Sequence, residues 1–243
     1  MHNNKVNILG TYFDNFTVES FHQQLIDDIK NKNNRFIVTP NPEIVLNARD
    51  DKNFQNIINQ NADYVIPDGI GIIKGANKLG TPLPERITGF DTTMFLIEEA
   101  NKQGLKLYIL GSTNEVITAS ANRIKSEFSN VKLVGYNDGY FKDEQKIVDE
   151  IKEKQPDIVL VALGSPKQEI FINNHRDVSD AIWIGIGGSF DVFSGTKKRA
   201  PKIIQKLGLE WFYRFAIEPS RFIRMLAIPK YLRLINQEKK KNM

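Results

Sequence analysis

Asp157-Ile-Val-Leu-Val-Ala-Leu163 is almost continuously apolar and rich in β-branched residues. A strand with one wet face alternates polar and apolar side chains, whereas a strand covered on both faces does not. The stretch therefore predicts a central strand of a parallel sheet lying between two helix layers. It runs into the turn Gly164-Ser-Pro-Lys-Gln-Glu169, with a helix expected over residues 170–174. Outward from here the same strand–turn–helix unit recurs. Strands are expected over residues 6–10, 35–39, 106–110, 131–136 and 181–186, and a short one at Val65-Ile66. Between them, Val18, Phe21, Leu25, Ile26 and Ile29 have helical spacing. A helix starting near Glu43 continues through Phe54, Ile57 and Ile58, with Asn41 as N-cap and Pro42 in its first turn. Further helices are expected from Ile70, over 92–101 (capped by Asp91 or Thr88), over 115–128 and over 147–154. Regular alternation of this kind implies an α/β fold, a Rossmann-like, mostly parallel sheet with helices on both faces.

The chain has 243 residues, 41% hydrophobic and 26% charged, enough for a sizeable core. It has no cysteine, which excludes disulfides, thiolate metal sites and a cysteine nucleophile. Its three histidines, His2, His22 and His175, are scattered without ligand spacing, and no Asp-x-Asp pair is present to hold a divalent ion against a diphosphate. No cofactor or metal is expected. A Gly-x-Ser-x-Gly elbow is missing too. The opening residues lack the long apolar core of a signal peptide, and no run of ~20 apolar residues suggests a membrane span.

Charge is unevenly placed. Of 33 Lys/Arg and 29 Asp/Glu, thirteen bases and three acids lie from Lys197 onward, leaving 20 and 26 in the body. The expected organisation is an α/β catalytic domain over residues 1–196 and a basic, aromatic-rich helical appendage over 197–243. In the appendage, Arg221 and Arg224 are one helical turn apart, and Lys230 and Arg233 repeat the spacing. Such a segment suits an anionic membrane surface; a docked helix with solvated arginines accounts for it equally well.

Several residues fall where strands end. Asp68, in Pro67-Asp-Gly, follows a strand, so its carboxylate is placed either to act as a general base or to cap the next helix. Thr39 and Asn41 occupy a second such corner, with local capping as the alternative to a ligand role. Arg86 lies in a loop with few acidic neighbours, suited to a phosphate or carboxylate or simply solvated. Three small-residue turns, Gly111-Ser-Thr, Gly164-Ser-Pro-Lys-Gln and Gly187-Gly-Ser, let backbone N–H groups approach a phosphate. Together they favour a nucleotide or sugar-nucleotide site over ordinary tight turns. None matches the Walker pattern or a GxGxxG with its downstream acid.

Six collinear motifs then coincide: Thr39-Pro-Asn-Pro-Glu, Pro67-Asp-Gly-Ile-Gly, Arg86-Ile-Thr-Gly-Phe-Asp91, Leu163-Gly-Ser-Pro-Lys-Gln-Glu, Gly185-Ile-Gly-Gly-Ser-Phe-Asp and Gly208-Leu-Glu-Trp-Phe-Tyr-Arg. Spread over nearly the whole chain, they resemble the WecG/TagA/CpsF family of bacterial glycosyltransferases. Among its branches the resemblance is greatest to the one that adds N-acetylmannosamine during wall teichoic acid linkage-unit synthesis. It implies an inverting, metal-independent transfer from UDP-N-acetylmannosamine to undecaprenyl-diphosphate-linked N-acetylglucosamine at the inner face of the cytoplasmic membrane. Relatives use the corresponding uronic acid or other hexoses.

The resemblance assigns Asp68 as the base. It implies substrate contacts for Thr39, Asn41, Arg86 and Gln168, and acceptor docking by Arg214, Arg221 and Arg224. The UDP site would comprise Gly111, Tyr136, Gly164, Lys167, Gly187, Gly188 and Asp191, with Tyr136 stacking on uracil and Asp191 meeting the ribose. Two other classes compete: a nucleotide-cofactor oxidoreductase, disfavoured by the missing fingerprint, and a nucleic-acid-binding module, disfavoured by the acidic body. Oligomeric state is left open.

Overall fold

The computed structural model describes residues 5–201, 203, 204, 210, 212, 213 and 226–241. The chain opens with a hairpin of β1 (Val6–Ile8) and β2 (Thr11–Phe13). Helix α1 (Val18–Lys30) leads to β3 (Arg35–Val38), α2 (Pro42–Asp50), α3 (Lys52–Asn56) and a π-helical turn over Ile57–Asn61. Then come β4 (Tyr64–Val65), α4 (Ile70–Leu79), α5 (Gly89–Gln103), β5 (Lys106–Gly111) and α6 (Asn114–Glu127). The second half adds β6 (Lys132–Asn137), α7 (Glu144–Lys154), β7 (Ile158–Ala162), α8 (Lys167–His175), β8 (Ile182–Gly185) and α9 (Ser189–Phe193). Helix α10 (Ala227–Lys241) closes the described chain.

Six strands, β3 to β8, form one sheet in the order β4-β3-β8-β7-β5-β6, and every neighbouring pair is parallel. The α/β expectation is met, and the strand expected at 157–163 lies inside the sheet. Its side chains alternate between two cores: Val159 and Val161 enter one, Ile158, Leu160 and Ala162 the other. Trp183 and Ile184 of β8 divide the same way. A Val or Leu fully buried at such a position stabilises the fold by about 1.5–3 kcal/mol. On the Val159 face lie α2, α4, α7 and α8; α1, α5, α6 and α9 cover the other.

Three local expectations change. The strand expected over 6–10 stands outside the main sheet: Leu9 and Gly10 adopt φ of 53° and 92°, folding it into an antiparallel hairpin. The helix expected to run from Glu43 through Ile58 is broken at Asp51. That residue is extended and caps a second helix, accepting hydrogen bonds from the Asn53 and Phe54 amides. The helix expected over 170–174 begins at Lys167, directly after Pro166, so Lys167, Gln168 and Glu169 form its first turn instead of a loop.

Helix α10 packs against α4 and α2, and its Tyr231 and Ile235 are fully buried in the core containing Ile72 and Ala76. Gly75 makes this approach possible, because a Cβ there would lie 2.1 Å from the Tyr231 hydroxyl. Lys230 pairs with Asp50 at 3.0 Å, while Leu232 and Arg233 stay exposed. The end of the basic segment is thus a docked helix with a solvated outer face. No helix among the described residues is long and apolar enough to cross a membrane.

Candidate active site

Strand order and crossover direction together create the site. Helices α2 and α8, which follow β3 and β7, lie on one face; α6 and α9, which follow β5 and β8, lie on the other. At each of the junctions β3/β8, β8/β7 and β7/β5 the outgoing helices therefore diverge. Divergence leaves a crevice beyond the C-terminal ends of the strands, the usual ligand position in open α/β sheets. Thr39, Asp68, Gly111, Gly164 and Gly187, distant in sequence, all follow or end strands at this edge.

Asp68 is held there by backbone. Its N–H donates to the Pro40 carbonyl at 3.2 Å, and the preceding Pro67 carbonyl accepts from Ile87 at 3.1 Å. The N-cap of α4 is the next residue, Gly69, with φ of 93°, so Asp68 itself stands just outside the helix. Gly71 packs on Pro42; a Cβ at Gly71 would come within 2.8 Å of the proline Cγ. The glycines of Pro67-Asp-Gly-Ile-Gly thus serve the conformation and packing that present Asp68.

Gly89, the first residue of α5, draws two candidate groups together. A Cβ there would sit 3.1 Å from Thr39 Oγ1 and 3.8 Å from Asp68 Oδ2. With only hydrogen at that position, a hydroxyl and a carboxylate share one small space. Thr39 is 7% exposed, and its hydroxyl donates a long 3.5 Å bond to the Gly185 carbonyl. Asn41 behaves as the local reading expects: its Oδ1 accepts from the Ile44 amide at 3.0 Å and caps α2, while its side-chain NH₂ is a separate donor.

Arg86 is engaged by an acid that the sequence reading had not connected to it. Its Nη2 lies 3.5 Å from Glu210, in the family motif that begins at Gly208. Glu210 also lies 4.0 Å from Arg199, which contacts Asp91 at 2.9 Å and stacks over Phe90 at 4.4 Å. Thr88, not Asp91, caps α5; its hydroxyl donates to Asp91 at 2.7 Å. Burial alone would raise the Asp91 carboxyl, but Arg199 and Thr88 outweigh it and hold its pKa below the usual carboxylate value.

At the other turns, Gly164 and Gly187 have φ of 77° and 51°, with open space where a Cβ would be. Gly188 is exposed, as is Lys167 at the start of α8. Gly111, at φ of 113°, touches the Ala162 backbone so closely that a Cβ would fall 2.4 Å from it. Asp191, in the first turn of α9, pairs with Lys197 beyond the helix end at 2.9 Å. Tyr136 lies on the edge strand, its exposed ring beneath Lys125 Nζ at 5.6 Å.

Gln168 is only 3% exposed, and its amide is engaged at both ends: Nε2 donates to Glu169 at 2.8 Å and Oε1 accepts from Gly187 N–H at 3.0 Å. Arg214, Arg221 and Arg224 lie outside the described residues. A cleft of about 620 Å³ opens elsewhere, lined by Lys5, Leu9, Asn15, Leu79, Thr81 and Glu238.

The residues missed in sequence were Gly89, Gly185, Glu169 and Glu210. All stood inside motifs already noted. The contacts of Gly89, Gly185 and Glu210 cross between elements far apart in the chain, so local pattern carried no sign of them.

The glycosyl transferase WecG/TagA/CpsF family model matches residues 6–243. A Bacillus subtilis protein called N-acetylglucosaminyldiphosphoundecaprenol N-acetyl-beta-D-mannosaminyltransferase is 42% identical over 207 residues, 84% of this chain and 80% of its own length. The Bacillus spizizenii protein of that name is 41% identical over 198 residues, 81% and 77% of the two chains. A Staphylococcus aureus protein of the same name is 36% identical over 244 residues, covering 98% of this chain and 94% of its own. With a match spanning almost every residue, the chain belongs to the WecG/TagA/CpsF family of glycosyl transferases.

Proposed function

We propose that this chain transfers N-acetylmannosamine from UDP-N-acetylmannosamine to the 4-hydroxyl of N-acetylglucosamine in GlcNAc-diphosphate-undecaprenol, with inversion, in wall teichoic acid linkage-unit synthesis. The observation that carries the reading is the meeting of the Asp68 carboxylate and the Thr39 hydroxyl around Gly89, beside the strand-end turns. The relatives' shared name supplies the acceptor class.

In this reaction Asp68 accepts the proton of the acceptor hydroxyl as its oxygen attacks the anomeric carbon. The bond from that carbon to the UDP oxygen breaks on the opposite face, and UDP leaves with the electron pair. Thr39 and the Asn41 amide orient sugar hydroxyls near the base. The diphosphate lies over the small-residue turns, where the N-terminus of α8, Lys167 and backbone N–H groups offset its growing charge. Arg86 is available to a second anionic group of donor or acceptor by exchange from Glu210. The protein works from the inner surface of the cytoplasmic membrane, held there by Arg214, Arg221 and Arg224 against anionic lipid and the acceptor diphosphate.

The test is acceptor-dependent UDP release from UDP-N-acetylmannosamine, with EDTA present and the acceptor in vesicles, comparing wild type with Asp68→Asn. Loss of the base is expected to lower kcat about 10²–10⁴-fold with UDP binding retained. Turnover without loss in the variant would remove Asp68 from the chemistry. A folded wild type active only with the uronic acid donor would move the chain to another branch of the family.

A further inference from the structure

Glu169 is an acid in the first turn of α8 with no exposed surface, although a first-turn acid can serve a helix from solvent. Its Oε1 accepts from Gln168 Nε2 at 2.8 Å. Oε2 and the hydroxyl of Ser165 are both buried without a conventional hydrogen-bond partner among the described residues. A bond between the Ser165 hydroxyl and Oε2 satisfies both atoms. Burial raises the Glu169 pKa, and the interactions with Gln168 and Ser165 only partly oppose it.

The carboxyl is the inner end of a chain of contacts running to the reaction centre. Gln168 Oε1, oriented by the bond to Glu169, accepts from Gly187 N–H at 3.0 Å in the turn after β8. The same side chain lies against Gly185, where a Cβ would fall 2.6 Å from its Nε2. The Gly185 carbonyl takes the hydroxyl of Thr39, and Thr39 flanks Gly89 together with Asp68.

We infer that Glu169 and Gln168 are positioning residues: the buried carboxyl orients the Gln168 amide, and that amide fixes the glycine turn after β8 that receives the donor diphosphate. Gln168 thus acts from behind the turn, on its backbone. The inference rests on the reading of the strand-end turns as the donor site. It explains why a carboxyl and an amide, costly to bury unless satisfied, occupy the end of an otherwise apolar strand layer.

The experiment measures UDP affinity by calorimetry and the exchange protection of the Gly187 amide by NMR. It uses full-length wild type, Glu169→Gln, Glu169→Leu, Gln168→Leu and the Glu169→Leu/Gln168→Leu double variant. Glu169→Gln keeps a carbonyl acceptor and is expected to leave both readouts within about threefold. Glu169→Leu and Gln168→Leu are each expected to weaken UDP binding about tenfold and to lower Gly187 protection, the double variant losing no more than either. A purely structural role would shift the melting temperature and leave Gly187 protection and UDP affinity alone. That result, additive losses in the double variant, or collapse of binding in Glu169→Gln overturns the inference. Should Glu169→Leu not fold, Gln168→Leu and Glu169→Gln still decide it through Gly187. Wild type that fails to bind UDP refutes the donor reading instead.

Discussion

Gly75→Ala tests the docking of the last helix, because two effects oppose each other there. Gly75 lies inside α4, where alanine is intrinsically better by about 1 kcal/mol. Against this, the new Cβ would stand 2.1 Å from the Tyr231 hydroxyl, 3.0 Å from Cζ and 3.3 Å from Ile235 Cδ1. An ordinary contact needs at least 3.4 Å, so the ring or all of α10 must move by more than an ångström. Tyr231 is fully buried, and overpacking of this kind costs about 1–3 kcal/mol, more if the ring loses its burial. The net expectation is a loss of about 0–2 kcal/mol, or up to roughly 8 °C in melting temperature for a chain of this size. Chemical and thermal unfolding would measure it, with the exposed Asn77→Ala of the same helix as control. Tyr231→Phe removes a buried hydroxyl that has no hydrogen-bond partner among the described residues, so by itself it should be neutral or stabilising. In the double variant the nearest obstacle becomes the ring carbon, and the cost of Gly75→Ala should shrink. A stabilised Gly75→Ala protein would refute the argument, since only a helix packed elsewhere leaves room for the methyl.

Other expectations follow from the same geometry. Gly111→Ala combines a left-handed φ of 113° with a Cβ 2.4 Å from Ala162 backbone, which cannot swing aside. It should cost more than about 3 kcal/mol or prevent soluble expression, as unfolding curves or yield would show. Arg199→Ala should raise the Asp91 pKa, followed by NMR titration of its carboxyl. Because the wild-type value is depressed, Asp91 contributes stability above the ordinary carboxylate pKa of about 3.9 and loses it as pH falls through the depressed value; the variant should flatten that loss. Truncation after Lys197 removes Tyr231 and Ile235 from the core as well as the basic segment, so it should lower stability by several kcal/mol by unfolding. Charge reversal at Arg221 and Arg224 is the cleaner test of vesicle binding: it should weaken sedimentation with anionic vesicles and spare UDP binding.

By itself the sequence determined the layered parallel fold and the list of strand-end residues. The near-continuous apolar run at 157–163, the helical spacing in α1 and the Asn41-Pro42 cap are local patterns, governed by the period of the backbone and by the needs of helix ends. Asp68, Thr39 and the glycine turns were legible for the same reason, each lying where a strand pattern stops. Tertiary structure alone decided which of them meet. Strand order sets β3 beside β8 and sends their helices to opposite faces, and pairing order is not written in any one segment's periodicity. It also set the Gln168 amide against Glu169 and the Gly187 N–H, matched Arg86 with Glu210, and folded Asp191 back onto Lys197. Each outcome depends on space and charge supplied by residues tens of positions away, or on how a loop turns back on itself. A missing side chain, as at Gly75 and Gly89, takes its meaning only from what packs across it.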